Sequence, residues 1–307
     1  MSNEIAKTPR PIDMLKSIVS APSVQDQFKN ALGEHKDAFV ASLIDLYTGD
    51  KQLQTCDAKA IVSEALRAAT MRLPLNKALG FAYIIVFNNN VKNPDGSWSK
   101  VPTPTFVPGY KGYIQLAMRT GQYRTINADF VYEGELRKVD KLKGEVAFDG
   151  EKKSDKIVGY FCYFELLNGF SKTLYVSIEE MAAYALRYSP SFKGRNKPTA
   201  EALIAAAQSG AVSSQVGWQG NFNDMGLKTV IRRLLSKYGY LSVEMQNAMG
   251  KDVEDAGNSR DEIIAEHANN KTIIAEAVEY EHVDTETGEI TQGQAPAEQN
   301  ADAAPNY

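Results

Sequence analysis

Two cysteines and three histidines are all that this 307-residue sequence offers for thiol or imidazole chemistry. Cys56 and Cys162 stand far apart and are expected to be reduced, buried thiols rather than a disulfide. His35, His267 and His282 do not combine with them at any zinc-binding spacing. The chain has no G-x-x-x-x-G-K-[ST] phosphate loop, which argues against an ATP-driven strand exchanger. It has no run of 18 apolar residues, so no membrane span is expected, and Met1 to Arg10 lacks the apolar core of a signal peptide. A cytoplasmic protein is the expectation. What is present is 43% hydrophobic residues, ample for one sizeable core with an added tail.

The formal net charge of -4 hides a strong segregation. Residues 1–99 hold 11 Lys/Arg against 10 Asp/Glu, a net of +1. Residues 100–240 hold 20 against 13, a net of +7, and residues 241–307 hold 3 against 15, a net of -12. A basic middle and an acidic end fit a core that binds a polyanion and a separate tail.

Hydrophobic spacing assigns the elements. From Pro11 to about Gly49 the period is helical, carried by Ile12, Leu15, Ile18, Val19, Phe28, Leu32, Phe39, Leu43 and Leu46. Asp57 to Met71 reads as a further helix with Asp57 as N-cap and Pro74 beyond its end. Phe81–Phe87 and Val101–Val107 read as partner strands, with Asn88 to Lys100 as a loop rich in Asn, Pro and Gly. Strands are also expected at Tyr123–Tyr132, Glu145–Asp149, Lys156–Leu166 and Ser171–Val176, with a hairpin turn at Asn168-Gly169. Ser177 to Arg187 is a helix with Ser177 and Glu180 as a capping box. Tyr188 to Thr199 is a basic surface loop, and a short helix covers Ala200 to Gln208. Met225 to Tyr238 is the clearest helix, with a core stripe of Leu227, Val230, Ile231, Leu234, Leu235 and Tyr238 and Gly239 as its stop. Lys228 and Arg232 fall on one flank, off that stripe, and Arg233 and Lys237 on the other. Ile263-Ile264 and Ile273 to Val278 give short helical hints, and Thr285 to Tyr307 reads as disordered. The expected fold class is α+β: a small antiparallel sheet packed with several helices, a mostly helical N-terminal region and a disordered acidic C-terminal tail. Residues 1–55 form the N-terminal helical region, a place for self-assembly. Residues 56–250 form the DNA-binding core, and 251–307 an acidic tail that either binds a partner or only keeps the protein soluble.

The stretch from Phe106 to Gly121 organises this middle. It reads as a strand end, a Pro-Gly turn and one short helix closed by Gly121. Tyr110, Tyr113, Ile114 and Ala117 share a face, while Lys111, Gln115 and Arg119 share another. By itself the pattern also fits an ordinary amphipathic helix with solvated charges. Yet Gly109-Tyr110-Lys111-Gly112 through Ala117-Met118-Arg119-Thr120-Gly121-Gln122 resembles the characteristic segment of the RecT family, phage-type recombinases that anneal complementary single strands of DNA without ATP. Three further stretches are similar to that family in the same order: Leu73-Pro74-Leu75 with Leu79-Gly80-Phe81-Ala82-Tyr83, then Tyr160 to Gly169, then Trp218 with Asp224-Met225 through Lys228-Thr229-Val230-Ile231-Arg232-Arg233-Leu234. The likeness covers roughly residues 60 to 240.

The DNA-binding candidates follow from both lines. Lys111, Arg119, Arg124, Lys228, Arg232, Arg233 and Lys237 are cations that two helices could present to one phosphate track, with Lys193 and Arg195 from the basic loop. Tyr110, Tyr113, Phe192 and Trp218 are candidates for stacking on bases, although aromatic residues of this kind are more often core. The resemblance implies single-stranded DNA and the annealed duplex as ligands, a ring or helical filament of identical subunits, and no cofactor. It also implies a phage exonuclease or host single-strand binding protein as partner of the tail. Two other functions remain open: a passive single-strand protector, and a phage nuclease. Pro94-Asp95 with distant Glu151-Lys152-Lys153 mimics a nuclease pattern, but Asp95-Gly96 is better explained as a hairpin turn.

Overall fold

A computed structural model describes residues 10–140, 142–189, 192, 197–213, 217–255, 281–283 and 290–292. Proline starts the first two helices. α1 (Pro11–Val19) and α2 (Pro22–Leu32) both carry Pro in the first turn, where its fixed φ suits the helix and its missing N–H is no loss. Gly33, at φ 57°, ends α2 and a single 3-10 turn leads into α3 (Lys36–Gly49). In α4 (Ala58–Thr70) the Asp57 carboxylate accepts from the Ala60 amide at 3.1 Å, the expected cap. Leu15, Val19, Phe28 and Leu43 pack with Ile61, Ala65 and Ala68 of α4 in one buried cluster that runs on through the sheet to Met249.

β1 (Ala82–Lys92) and β2 (Trp98–Pro108) form an antiparallel ribbon in register from Ala82 opposite Pro108 to Lys92 opposite Trp98. The loop expected from Asn88 to Lys100 is therefore mostly strand, and only the tip turns. There Gly96 adopts φ 85° and the Asp95 carboxylate accepts from the Ser97 amide and hydroxyl at 2.9 and 2.6 Å. Asn and Pro conceal the strand because this distal half is mostly exposed, so no period of buried side chains marks it. Proline also seals the outer edge of β2. On the alternation of Pro102, Pro104, Phe106 and Pro108, three positions have no N–H, and the Phe106 amide donates to the Glu64 carboxylate of α4 at 3.0 Å. Glu64 is held in turn by Arg67 at 2.8 Å. From Pro102 to Pro108 this edge therefore offers no free donor to a further strand.

β3 (Tyr123–Tyr132), β6 (Ile157–Leu166) and β7 (Ser171–Ser177) make a three-stranded antiparallel sheet with β6 in the middle. β4 (Lys138–Asp140), a strand not anticipated from sequence, pairs with β5 (Glu145–Ala147). α5 (Tyr110–Arg119) joins the ribbon to the sheet. α6 (Ile178–Tyr188) is capped by Ser177, whose hydroxyl accepts from the Glu180 amide, and α7 (Ala200–Ser209) by Thr199. α8 (Phe222–Tyr238) begins three residues before the expected Met225, because Asn221 accepts from the Asp224 amide at 3.0 Å. It lies against β6, with Gly226 over the Tyr160 ring, where an added Cβ would come within 2.8 Å of ring carbon. Tyr160 donates to Asn223 at 2.6 Å and Asn223 to the Ala207 carbonyl at 2.9 Å, which ties α8 to the sheet and to α7. α9 (Val243–Asp255) adds buried Met245 and Ala248.

In the second unit, residues 260–307, β8 (Glu281–Val283) pairs with β9 (Ile290–Gln292), the latter inside the stretch read as disordered. The helical hints at Ile263 and Ile273 lie outside the described residues. Among the described residues no helix is long and apolar enough to cross a membrane.

Candidate nucleic-acid interface

The start of α5 is fitted directly onto the end of the preceding loop. The Gly109 amide donates to the Phe81 carbonyl at 2.9 Å. A Cβ on Gly109 would overlap the carbonyl oxygen of Gly80, and one on Gly112 that of Phe81. The two segments Leu79-Gly80-Phe81 and Gly109-Tyr110-Lys111-Gly112 are thus two sides of one backbone contact, which only glycine permits. Tyr113, Leu116 and Ala117 go into the core below it. Tyr113 is a core residue, fully buried, as the ordinary burial tendency of tyrosine had allowed.

Tyr110 and Lys111 sit at this junction, near the first turn of α8. The Lys111 ammonium lies 5.9 Å from the Tyr110 ring centre, and its stem passes Gly80. Half-burial pushes the Asp224 carboxyl above its usual range, against the attraction of Lys111. Burial likewise raises the phenols of Tyr83 and Tyr110, and the charge of Asp224 adds to both. At the other end of α5, Arg119 donates to the carbonyls of Met71 at 2.8 Å and Arg72 at 2.9 Å. Its guanidinium therefore caps the C-terminal end of α4, whose last carbonyls have no helical partner. Arg124 bridges from β3 to Glu165 of β6 at 2.8 Å. Lys193 and Arg195 lie outside the described residues.

Lys228 requires a correction. The helical period puts it off the core stripe, but it is only 7% exposed. α8 buries six consecutive residues, Gly226 to Ile231, because β6, α5 and α7 surround its first half. A helix enclosed on all sides has no polar flank there. Tyr238, counted in the same stripe, is instead exposed. Phe192 and Trp218 are both buried, Trp218 with its ring 5.1 Å from Phe222.

The second half of α8 does emerge, and there cations and tyrosines alternate. Arg232 donates to the Tyr184 hydroxyl at 3.3 Å, and the Arg233 guanidinium lies 5.7 Å from the Tyr184 ring centre. The Tyr184 ring lies 4.6 Å from that of Tyr188, tilted by 44°, and Tyr188 has Arg187 at 5.2 Å. On the other side of Arg233 a cavity of about 310 Å³ is lined by Lys172, Arg233, Lys237 and Tyr238 with Leu142, Leu174 and Leu234. Lys172 and Lys237 flank the Tyr238 ring at 5.5 and 5.2 Å, and among the described residues no carboxylate lines the cavity. Lys172 is anchored by donating to the Lys143 carbonyl at 2.9 Å. The result is a contiguous band from Arg187 through Arg232 and Arg233 to Lys172 and Lys237. Of the sequence candidates it unites Arg232, Arg233 and Lys237, and it leaves Lys111, Arg119 and Arg124 elsewhere. Lys172 and Arg187 were not anticipated. Their signal was faint: each is a single cation, one on a short strand and one in a helix's last turn.

A sequence model of the RecT family matches residues 37–269. The chain belongs to the RecT family. It is 37% identical over 265 residues to an uncharacterized protein, YqaK, of Bacillus subtilis (strain 168), covering 84% of this chain and 81% of that one. It is 27% identical over 250 residues to protein RecT of Escherichia coli (strain K12), covering 78% of this chain and 80% of that one. Membership implies a single-strand annealing protein of DNA recombination, a class of DNA-binding proteins that are not in general catalytic. Among the described residues no group of three or more His, Cys, Asp or Glu could hold a metal ion. The Asp95 of the nuclease-like pattern is engaged by Ser97 in the ribbon's turn.

Proposed function

We propose that this protein anneals complementary single strands of DNA without a nucleotide. The observation that carries the reading is the RecT match across residues 37–269, which contains every residue of the cation–tyrosine band. The band supports it physically. Guanidinium and ammonium groups neutralise phosphates and release counterions, which gives affinity without preference for sequence. Tyrosine faces between them accept sugars or unpaired bases. A strand held by its backbone keeps base edges outward, where a second strand is tested by Watson–Crick pairing. Lys111, with Tyr110, extends the same function at the α5–α8 junction.

The protein works as a ring or helical filament of identical subunits in the cytoplasm, with residues 1–55 available for assembly. Residues 251–307, which carry most of the acidic excess, stay off the DNA and dock a phage exonuclease or the host single-strand binding protein. A gel assay with purified protein and complementary oligonucleotides tests the reading. Accelerated duplex formation without nucleotide is expected. Strand bound without acceleration would make the protein a passive protector, and Mg²⁺-dependent cleavage would make it a nuclease. A strict requirement for ATP contradicts the proposal.

A further inference from the structure

The distal half of the β1–β2 ribbon has a composition that packing does not explain. Beyond Phe87 on β1 and before Pro102 on β2 its described side chains are mostly exposed. Trp98 is 68% exposed, and among the described residues its side chain makes no ring contact or hydrogen bond. Few proteins leave a tryptophan in water without use, because its ring is the largest apolar surface a side chain can offer. In the register of the ribbon, Asn88 stands opposite Pro102, Asn90 opposite Lys100 and Lys92 opposite Trp98. These positions share one face, since paired residues lie on the same side and the alternation has period two. Asn88, Asn90, Trp98 and Lys100 on it are all exposed. The face thus combines one large ring, a neighbouring ammonium and two amides, and it carries no carboxylate. The tip's acidic residue, Asp95, is turned into the loop by its bonds to Ser97.

Two kinds of occupant could cover such a face, a strand of nucleic acid or a second protein chain. Along the outer edge of β2, Pro102 and Pro104 interrupt the row of donors that an added strand would need. The apolar residues of the distal ribbon are also divided: Val91 and Val101 lie on the opposite face from Trp98, so on its own face the ring stands among polar residues rather than in an apolar patch. A single ring beside cations and amides is what an unpaired base and its phosphate require.

We propose that the ribbon is a second contact to single-stranded DNA, in which Trp98 stacks on an unpaired base and Lys100 meets an adjacent phosphate. The contact rests on the annealing function above and adds to it. A base held by stacking is unstacked from its neighbours, so the ribbon controls how many bases of the bound strand stand open for pairing.

Tryptophan emission tests this directly, because Trp98 and Trp218 are the only two tryptophans and Trp218 is 8% exposed. Oligo(dT), which cannot self-anneal, is added to the full chain and to Trp98→Phe and Trp98→Ala. Emission of the parent is expected to be quenched on binding, and the quench to vanish in Trp98→Phe. Affinity should fall about ten-fold in Trp98→Ala and be largely restored in Trp98→Phe, as replacement of a stacking aromatic gives. Lys100→Gln should lower the salt slope of log K by about 0.7, the share of one phosphate on a single strand. Binding without any quench of the parent overturns the proposal and leaves the annealing function standing. So does a Trp98→Ala chain that binds as the parent but loses self-assembly in sedimentation, which would assign the ribbon to subunit contacts. A parent that binds no DNA contradicts the annealing function itself.

Discussion

The Phe81 carbonyl oxygen lies so close to Gly112 that a Cβ there would overlap it. One backbone oxygen thereby joins two sequence segments thirty residues apart, and it accepts from the Gly109 amide as well. This contact sets where α5 begins, and so where Lys111 and Tyr110 meet the first turn of α8.

Gly112→Ala is accordingly expected to force the loop and helix apart. The overlap is with backbone, which cannot rotate away, so a cost of about 1–3 kcal/mol is expected, as for other overpacked sites. Urea unfolding measures it. An unchanged midpoint would show that the junction is looser than the contact indicates.

Lys228 and Lys237, both on α8, should behave differently. Lys228→Ala removes a buried stem from an enclosed helix and should destabilise by about 2 kcal/mol, in the range of large-to-small core changes. Lys228→Met, which keeps the stem's volume, should recover part of this. Lys237→Gln should leave the unfolding midpoint unchanged and weaken DNA binding. Reversed effects would mean that burial does not separate the two roles.

These two lysines also mark what the sequence could reveal. Helix periods, the caps at Asp57 and Ser177, and the turns at Gly96 and Gly169 were legible because each is a local preference of a few residues. The ribbon beyond Phe87 was not, since an unpacked strand has no buried period. Lys228 was misplaced because a helix wheel shows one core stripe, whereas the number of neighbours around α8 is a tertiary fact. The band was half legible: Arg232, Arg233 and Lys237 share a helix, but Lys172 and Arg187 reach them only through folding. Arg119 was recognised as a cation, but its bonds to the Met71 and Arg72 carbonyls span nearly fifty residues.

Asp224 gives a pH dependence. Half-burial raises its native pKa above the unfolded value, so the native state binds more protons between the two. Stability from this group is therefore highest below about pH 4, the ordinary Asp value, and is lost as pH rises through the raised native value. Asp224→Asn should remove that component. The difference in urea midpoint between parent and variant, followed from pH 4 upward, should shift in favour of the variant. A difference that is flat, or that moves the other way, would show that Lys111 rather than burial dominates this carboxylate.

The central claim is that the band around the second half of α8 carries the DNA backbone. Its most direct test is the salt dependence of single-stranded DNA binding by the parent, Lys172→Gln, Arg233→Gln and Lys237→Gln. Each variant should fold as the parent, bind more weakly, and lower the slope of log K against log salt by about 0.7. If all three variants keep both the parent's affinity and its slope, the phosphates lie elsewhere and the band is only a solvated face.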